Sequence, residues 1–210
     1  MSVVGPPMRD YYERRAREYD DWWLGTGLFA RRERPGWHDE VHDLTALLGT
    51  LAPRRTLDVA CGTAFLTRHL PGEITALDQS PTMVAIARER LPGATVTRSD
   101  AVPLPFAADA FERLVTSHFY GHLQPRAETA AFLAEARRVA GELIVVDSAR
   151  RADTPAEQWQ ERRLNDGSRH RIYKRWFTGA QLAAELGGAE VLHDGDWFVV
   201  VRAARARARP

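Results

Sequence analysis

The sequence predicts an α/β fold in which a mostly parallel β-sheet carries helices on both faces. Short apolar segments alternate with helical segments from about residue 53 to residue 148, and this alternation is typical of right-handed βαβ units. Near the C-terminus, two apolar segments flank the turn Asp194-Gly195-Asp196, which predicts a terminal antiparallel hairpin. A length of 210 residues fits one such domain.

The first quarter of the chain is predicted to be helical. Two prolines precede a helical segment at 8–23, and proline is favoured in the first turn of a helix. A charged loop at 31–36 follows. Apolar residues then recur with helical spacing over 37–51, and Pro53 ends that helix before the first strand.

The central segments predict the sheet itself. Strands are predicted at 55–60, 73–78, 94–98, 111–117 and 141–147, from their apolar and β-branched residues. Helices are predicted between them at 63–70, 81–91 and 127–139, the second beginning at Ser80-Pro81. Because these strands run parallel, their carboxyl ends meet at one edge of the sheet, where ligands bind in open α/β folds.

The regular alternation ends after Asp147. Residues 150–177 are polar, arginine-rich and aromatic, and predict no regular element. Thr178 is expected to begin a helix that ends at the glycine pair 187–188, and the terminal hairpin strands follow at 190–193 and 197–202. The tail at 205–210 lacks an apolar face and is expected to be frayed.

Composition excludes several classes of protein. The net charge is +1, which gives no overall field for nucleic acid or an anionic membrane. One cysteine rules out an internal disulfide and fits a reducing compartment. The first residues lack the apolar core of a signal peptide, and no apolar run is long enough to cross a bilayer. A cytoplasmic protein without a membrane partner is therefore expected.

A small-residue turn next to an acidic strand end is the main functional signal. The run TLDVACGTAF at 56–65 is an apolar strand that leads into a turn of small residues, which let a ligand approach the backbone closely. The next predicted strand ends with Asp78, whose carboxylate would lie beside Gly62 at the edge of a parallel sheet. A carboxylate in that position can accept hydrogen bonds from ribose hydroxyls. The pattern therefore predicts a nucleoside-binding crevice.

Four motifs in this order resemble the class I S-adenosylmethionine-dependent methyltransferases, especially their small-molecule branch. They are LDVACGTA at 57–64, LD at 77–78, SDAVPLPF at 99–106 and the helix YERRAREYD at 12–20. The resemblance covers about residues 10–148. It implies a Rossmann-like seven-stranded, mostly parallel sheet with a C-terminal antiparallel hairpin. It also implies methyl transfer from S-adenosylmethionine to a small-molecule acceptor in specialised metabolism, with S-adenosylhomocysteine as the product.

The resemblance also assigns the segments and the residues of the site. Residues 1–52 would form a helical lid, 53–148 the cofactor-binding core, 149–177 a substrate-covering insertion, and 178–204 the terminal helix and hairpin of one domain. Asp100 would accept from the adenine amino group, beside the backbone of Ala101. The residues expected to bind the cofactor are Tyr12, Tyr19, Asp58, Ala60, Gly62, Ala64, Asp78, Gln79, Met83, Asp100, Ala101 and Ser117.

One residue departs from the family pattern. The turn of the family often ends in glycine, whereas this chain has Ala64. If the turn requires a positive φ there, the methyl group strains it, and cofactor binding is expected to be weakened or displaced rather than lost.

Two histidines and a basic segment are the predicted residues that contact the methyl acceptor. His118 follows the fourth strand, and a histidine there can remove a proton from an acceptor, so it is the predicted catalytic residue. His122 is a predicted substrate residue. The insertion contributes the predicted substrate residues Tyr173, Lys174 and Trp176, and Lys174 is the single lysine among 29 basic residues. Packing of the lid tyrosines on the sheet, and a solvated surface for the insertion, stay open alternatives.

Other functions are weighed against methyl transfer. The fingerprint G-x-G-x-x-G of dinucleotide enzymes is absent, since Gly62 is followed by TAFL. The fourth strand lacks the N-P-P-[YF] sequence of base-amine methyltransferases, so an RNA methyltransferase is the weaker alternative and nucleic acid is not the expected partner. A cofactor-binding sensor or scaffold, and non-methyl chemistry with the same cofactor, stay open. No metal site is expected, and a monomer or a homodimer fits equally well.

Overall fold

The fold is built on a seven-stranded sheet, whose strands are, in order across the sheet, β3 (Thr95–Arg98), β2 (Gly72–Asp78), β1 (Arg54–Val59), β4 (Phe111–Ser117), β5 (Ala140–Ser148), β9 (Phe198–Ala204) and β8 (Glu190–Asp194). The structure, a computed structural model, describes residues 5–204. The first five strands are parallel, and β9 enters antiparallel beside β5. The predicted mostly parallel sheet with a terminal hairpin is confirmed.

Helices cover both faces of this sheet. They are α1 (Pro6–Arg15), α2 (Asp21–Leu24), α3 (Trp37–Gly49), α4 (Pro81–Arg90), α5 (Ala127–Val139) and α6 (Gly179–Glu185). The predicted start of α4 is confirmed, because the Ser80 hydroxyl caps it by accepting from Met83 N. Thr178 caps α6 in a capping box with Gln181. Among residues 5–204, none of the helices is both long and apolar enough to span a membrane.

The predicted first helix is wrong in its continuity. The segment 8–23 forms α1, a single 3₁₀ turn at Ala16–Glu18, and the short α2, which ends at Gly25 with a φ of 69°. Leaving the helical path lets Asp20 turn back to the sheet, where it accepts from Thr63 Oγ1 at 2.6 Å and pairs with Arg90 at 2.6 Å. The Thr63 hydroxyl and the Arg90 guanidinium, by binding Asp20, therefore fix where the chain bends.

The predicted helix at 63–70 is also wrong. The chain there makes a tight turn and one 3₁₀ turn at Thr67–His69 before β2 begins. Ala64 has a φ of 62°, outside the helical region, and Leu70 precedes a proline, which disfavours helix. The link between β1 and β2 is consequently compact, and it brings Asp58 and Thr67 together.

A second sheet was not predicted at all. Strands β6 (Glu157–Arg163) and β7 (Arg169–Arg175) form an antiparallel hairpin inside the segment that showed no regular pattern. Its polar, arginine-rich sequence hides the strands, because only one face packs on the protein. Leu164 and Ile172 form a small buried cluster with Tyr11 of α1. The boundaries of the five predicted segments stay predictions, and the tail at 205–210 and residues 1–4 lie outside the described residues.

Candidate functional site

A cavity opens at the carboxyl ends of β1, β2 and β4, beneath α1. This edge of a parallel sheet is where such folds bind ligands. Eleven of the predicted site residues line it: Tyr12, Tyr19, Ala60, Gly62, Asp78, Gln79, Met83, Ala101, Ser117, His118 and His122. Met8, Leu77, Ser99 and Phe119, which the sequence did not single out, complete the lining.

The turn after β1 forms the floor of the site. Gly62 N donates to Asp78 Oδ2 at 2.9 Å, and Ser80 N donates to Asp78 Oδ1 at 2.9 Å. Burial raises the pKa of Asp78 to about 6, although these backbone donors act in the opposite direction. The two neighbouring strand ends are thus joined through one carboxylate, as the sequence predicted from their order.

The backbone of this turn is left-handed at three alternate residues. Ala60, Gly62 and Ala64 have φ values of 60°, 56° and 62°. Only the middle one is glycine, and a Cβ built on it would lie 3.4 Å from Tyr19 Cε1. Ala64 therefore has the positive φ at which its methyl group strains the turn, since alanine occupies a conformation that favours glycine. Ala64 itself is buried beside α4 rather than lining the cavity.

Asp58 lies one layer below the turn. It is buried in β1, where Oδ2 accepts from Thr67 Oγ1 at 2.5 Å. Burial raises the pKa of Asp58 to about 7, against the effect of the Thr67 hydrogen bond. Asp58 does not line the cavity, so its contact with a ligand stays a prediction.

Helix α1 closes the cavity from above through polar contacts. The Glu13 carboxylate accepts from Ser80 Oγ and Thr82 Oγ1, each at 2.5 Å, at the N-terminus of α4. Arg9 donates to Gln79 Oε1 and Asp100 Oδ1, both at 3.2 Å. Asp100 therefore pairs with the lid and does not line the cavity, and its predicted adenine contact stays a prediction.

His118 lies at the end of β4 with a φ of 55°. Its ring packs edge to face on Trp22 and Trp23, with ring centroids 4.8 and 5.1 Å away. Burial lowers the pKa of His118 to about 3, the charge of Lys174 adds to the decrease, and Asp147, 3.9 Å away, opposes it. His118 is therefore a neutral imidazole near pH 7.

His122 joins the lid to the hairpin. Its Nδ1 lies 2.6 Å from the carbonyl oxygen of Tyr173, so Nδ1 is the donor and Nε2 accepts from the Tyr12 hydroxyl at 2.7 Å. Burial lowers the pKa of His122 well below its ordinary value, in keeping with this neutral tautomer. The tyrosine hydroxyl and the imidazole thus fix one another at the cavity wall.

Three predicted substrate residues lie elsewhere. Lys174 is only 3% exposed, and its ammonium is paired with Asp147. Tyr173 donates its hydroxyl to Glu157, and Trp176 N bonds to Ala156 O within the hairpin region. None of the three lines the cavity. The unrecognised hairpin is the reason for Tyr173 and Lys174, because β7 directs these two side chains to Glu157 and Asp147.

The sequence could have revealed part of what it missed. Met8, Arg9 and Glu13 belong to the same helix as Tyr12, and residues three or four apart share a helical face. Their spacing is therefore a usable signal. Arg162 of β6 has no such signal, because its position near the lid depends on the register of β6 with β7.

The residues present fit a polar ligand that carries a nucleoside. Within the described part of the chain, Ser117 Oγ, His118 Nε2 and Asp58 Oδ1 are buried polar atoms without a hydrogen-bond partner. Buried polar groups are nearly always paired, so such atoms indicate a missing partner. Among the same residues, no cluster of three or more histidine, cysteine or acidic side chains could hold a metal ion.

Comparison with known proteins agrees with this geometry. A family model described as a methyltransferase domain matches residues 57–142. The dTDP-3-amino-3,6-dideoxy-alpha-D-glucopyranose N,N-dimethyltransferase of Streptomyces fradiae is 35% identical over 139 residues, which are 63% of this chain and 51% of that protein. A phthiotriol/phenolphthiotriol dimycocerosates methyltransferase of Mycobacterium leprae is 37% identical over 112 residues, 49% of this chain and 39% of that protein. The chain thus spans about half of the length of the first relative and about two fifths of the second.

Solved structures support the fold over nearly the whole chain. The DhpI-SAM-HEP complex superposes with a TM-score of 0.73 at 23% identity, covering 95% of this chain and 98% of that one. At this identity the likeness shows the shared architecture. The family model, the curated relatives and the Gly62–Asp78 geometry agree: residues 57–142 match a methyltransferase domain, and the chain is similar to S-adenosylmethionine-dependent methyltransferases.

Proposed function

We propose that this chain transfers a methyl group from S-adenosylmethionine to a small-molecule acceptor in specialised metabolism. The supporting observation is the joint arrangement of Gly62 and Asp78, which are 2.9 Å apart from backbone nitrogen to carboxylate oxygen beside the cavity. S-adenosylmethionine supplies an electrophilic methyl group on a sulfonium centre. The cytoplasmic location and the choice between monomer and homodimer stay predictions.

The residues of the turn and the lid would hold the cofactor. Asp78 accepts ribose hydroxyls, Met83 packs on the adenine, and Asp58 with the turn backbone faces the amino-acid portion. The rings of Tyr12 and Tyr19, whose centroids lie 6.3 Å apart, offer electron-rich faces that suit a positively charged sulfur. The hydrogen bonds from Ser80 and Thr82 to Glu13 hold α1 against α4, and this closed position excludes water from the reacting atoms.

Positioning is the main contribution of the chain to the rate. Correct orientation of two reactants can lower a barrier by roughly 7–11 kcal/mol. We propose that His118 contacts the acceptor as a neutral imidazole and receives a hydrogen bond from its nucleophile. A pKa near 3 makes His118 a weak base. We therefore assign it to orienting the acceptor more than to removing its proton.

Binding of S-adenosylhomocysteine tests the cofactor site. We expect Asp78→Asn to weaken binding about 10- to 100-fold, because hydrogen bonds to a charged group are each worth about 1.5–3 kcal/mol. For the unmodified chain, affinity should rise from pH 5 to pH 7. Ionised Asp78 is the better acceptor, and its pKa in the free protein is about 6. Calorimetric titration measures both effects.

The control for this experiment is Asp43→Asn, which removes an exposed carboxylate on α3. It should bind like the unmodified chain. Equal affinities for the Asp78 and Asp43 variants would contradict the ribose assignment, and a lack of binding by the unmodified chain would refute the proposed function.

Turnover tests the role of His118. Release of S-adenosylhomocysteine from S-adenosylmethionine and a panel of acceptors should fall about 10- to 100-fold in His118→Ala at saturating cofactor. The affinity for S-adenosylhomocysteine should change less than about threefold, since His118 is proposed to face the acceptor. Unchanged turnover would remove His118 from the reaction.

A further inference from the structure

Three arginines gather beside the cavity without an acidic partner. Arg15 of α1 is 7% exposed, Arg162 of β6 is partly buried, and the exposed Arg32 lies in the loop between α2 and α3. Within residues 5–204, no carboxylate forms an ion pair with any of them. The acids of neighbouring segments pair elsewhere, as Asp20 does with Arg90 and Glu161 with Arg169.

Aromatic rings, the Tyr11 hydroxyl and the Gln160 amide oxygen, which accepts from Arg162 Nη2 at 3.2 Å, hold these guanidinium groups instead. Arg15 Nη1 donates to the Tyr11 hydroxyl at 2.9 Å. The Arg162 guanidinium lies 5.8 Å from the centre of the Tyr11 ring, and Arg32 lies 4.6 Å from that of Phe29, which Arg15 also contacts at 5.8 Å. Such contacts position a guanidinium but do not neutralise its charge.

The three charges act on one another. The pKa of Arg32 is lowered first by burial and then by the charges of Arg162 and Arg15. A buried charge without a counterion is costly, and buried charges in proteins are ordinarily paired. The cluster therefore carries an uncompensated positive charge that an anion would relieve.

The charges of Arg15 and Arg162 act on side chains that line the cavity. Arg15 lies 5.0 Å from the centre of the Tyr19 ring, and the edge of that ring lies over Gly62. Burial raises the pKa of the cavity-lining Tyr12, and the charges of Arg162 and Arg15 oppose that increase. Both arginines also help to keep His118 neutral.

We propose that Arg15 and Arg162 form an anion-binding subsite that takes a carboxylate or phosphate group of the methyl acceptor. This inference rests on the proposed function and specifies its substrate class. The Tyr19 ring contacts the Arg15 guanidinium and adjoins the turn at Gly62, and in this proposal the anion binds on the side of that ring away from the turn. A planar guanidinium binds such groups with two parallel hydrogen bonds, which fixes the orientation of the acceptor. A cationic acceptor is disfavoured by the same field.

The direct test uses acetate against acetamide, which share a shape and differ in charge. Protein saturated with S-adenosylhomocysteine is titrated with each at constant ionic strength, and the arginine Nε–H signals are followed by NMR. Acetate and inorganic phosphate should bind saturably, and acetamide should not. Arg162→Gln should weaken acetate binding about 10- to 100-fold, and Arg162→Lys should recover part of it, because the charge is kept and the second hydrogen bond is lost.

The matched control is Arg163→Gln. Arg163 adjoins Arg162 in β6, is exposed, and projects to the opposite face of the hairpin. It should bind acetate like the unmodified chain, and circular dichroism should show that all variants fold. Equal binding of acetate and acetamide, or equal binding by the Arg162 and Arg163 variants, would overturn the subsite.

Turnover then identifies the source of the anion. With acceptors supplied as pairs of a carboxylic acid and its amide, Arg162→Gln should raise KM for the acid about 10-fold or more and leave the amide within about twofold. If this variant instead weakens S-adenosylhomocysteine but not 5′-methylthioadenosine, which lacks the amino-acid portion, the arginines bind the cofactor carboxylate and the acceptor assignment is wrong. Failure of the unmodified chain to bind S-adenosylhomocysteine would refute the proposed function alone, since acetate can still be titrated into the free protein.

Discussion

Ala64 shows how a single side chain conflicts with the turn that the site requires. Its φ of 62° lies in the left-handed region, where residues other than glycine are strained by about 1–3 kcal/mol. Its methyl group is fully buried with Ala76, Val84 and Ala87, so packing offsets part of that strain. The surrounding contacts hold the conformation that Gly62 and Asp78 need.

Two substitutions separate strain from packing. Ala64→Gly should change the free energy of unfolding by less than about 1 kcal/mol, because relief of strain offsets the loss of one buried methyl group. Ala64→Val should lower it by at least about 2 kcal/mol, since a β-branched residue is a severe outlier at positive φ. Urea unfolding measures both changes.

Ala76→Val is the matched control for crowding. Ala76 is buried in the same cluster but lies in β2, where extended backbone suits valine. It should be less destabilising than Ala64→Val by about 1 kcal/mol or more. Equal losses would mean that crowding alone limits position 64.

At the scale of elements, the buried ion pair between Lys174 of β7 and Asp147 of β5 attaches the β6–β7 hairpin to the sheet. Asp147 at the end of β5 also accepts from Gly121 N at 2.7 Å and Ser148 N at 2.7 Å. Burial tends to raise the pKa of Asp147, but the nearby positive charge of Lys174 and the hydrogen bonds from Lys174 and Ser148 N together lower it below its ordinary value. The lysine that stands alone among the basic residues therefore has a structural partner.

Breaking this pair should cost more than breaking an exposed one. Lys174→Met leaves Asp147 charged and buried, and we expect it to lower the free energy of unfolding by about 3–5 kcal/mol. The double variant Asp147→Asn with Lys174→Met should recover at least half of the loss, because no unpaired charge remains. Denaturant unfolding curves give these values.

An exposed pair in the same hairpin provides the comparison. Arg169 and Glu161 lie 2.6 Å apart with both side chains about two-thirds exposed, so Arg169→Met should cost less than about 1 kcal/mol. A loss of that size for Lys174→Met would show that the pair does not anchor the hairpin.

At the scale of the whole molecule, three separate parts enclose the cavity. The sheet supplies the turn and the carboxylates, α1 covers them, and the hairpin supports α1 through Leu164, Ile172 and the Tyr173 carbonyl that binds His122. Arg15 and Arg162 lie where the lid meets the hairpin, both next to the Tyr11 ring.

Local patterns were enough to predict the strands, their parallel arrangement and the pairing of Gly62 with Asp78. Apolar periodicity defines each strand, and the right-handed βαβ rule leaves few ways to arrange them. The same patterns failed at 63–70, where good helix formers follow a left-handed residue, and at the hairpin, whose strands are polar on the exposed face. Propensity is a weak signal wherever tertiary contacts decide the backbone.

By itself, the sequence determined the sheet, its terminal hairpin and most of the residues around the cavity. The reason is that the spacing of apolar residues indicates which segments are buried strands, and the right-handed crossover rule limits their order. Only the tertiary structure decided the partners of the charged groups: it pairs Lys174 with Asp147 and Arg9 with Asp100, and it brings Arg15 and Arg162 to the same Tyr11 ring without an acidic partner. Charges pair across long separations in the chain, and the free energy of each pair depends on burial and distance, which no local pattern contains.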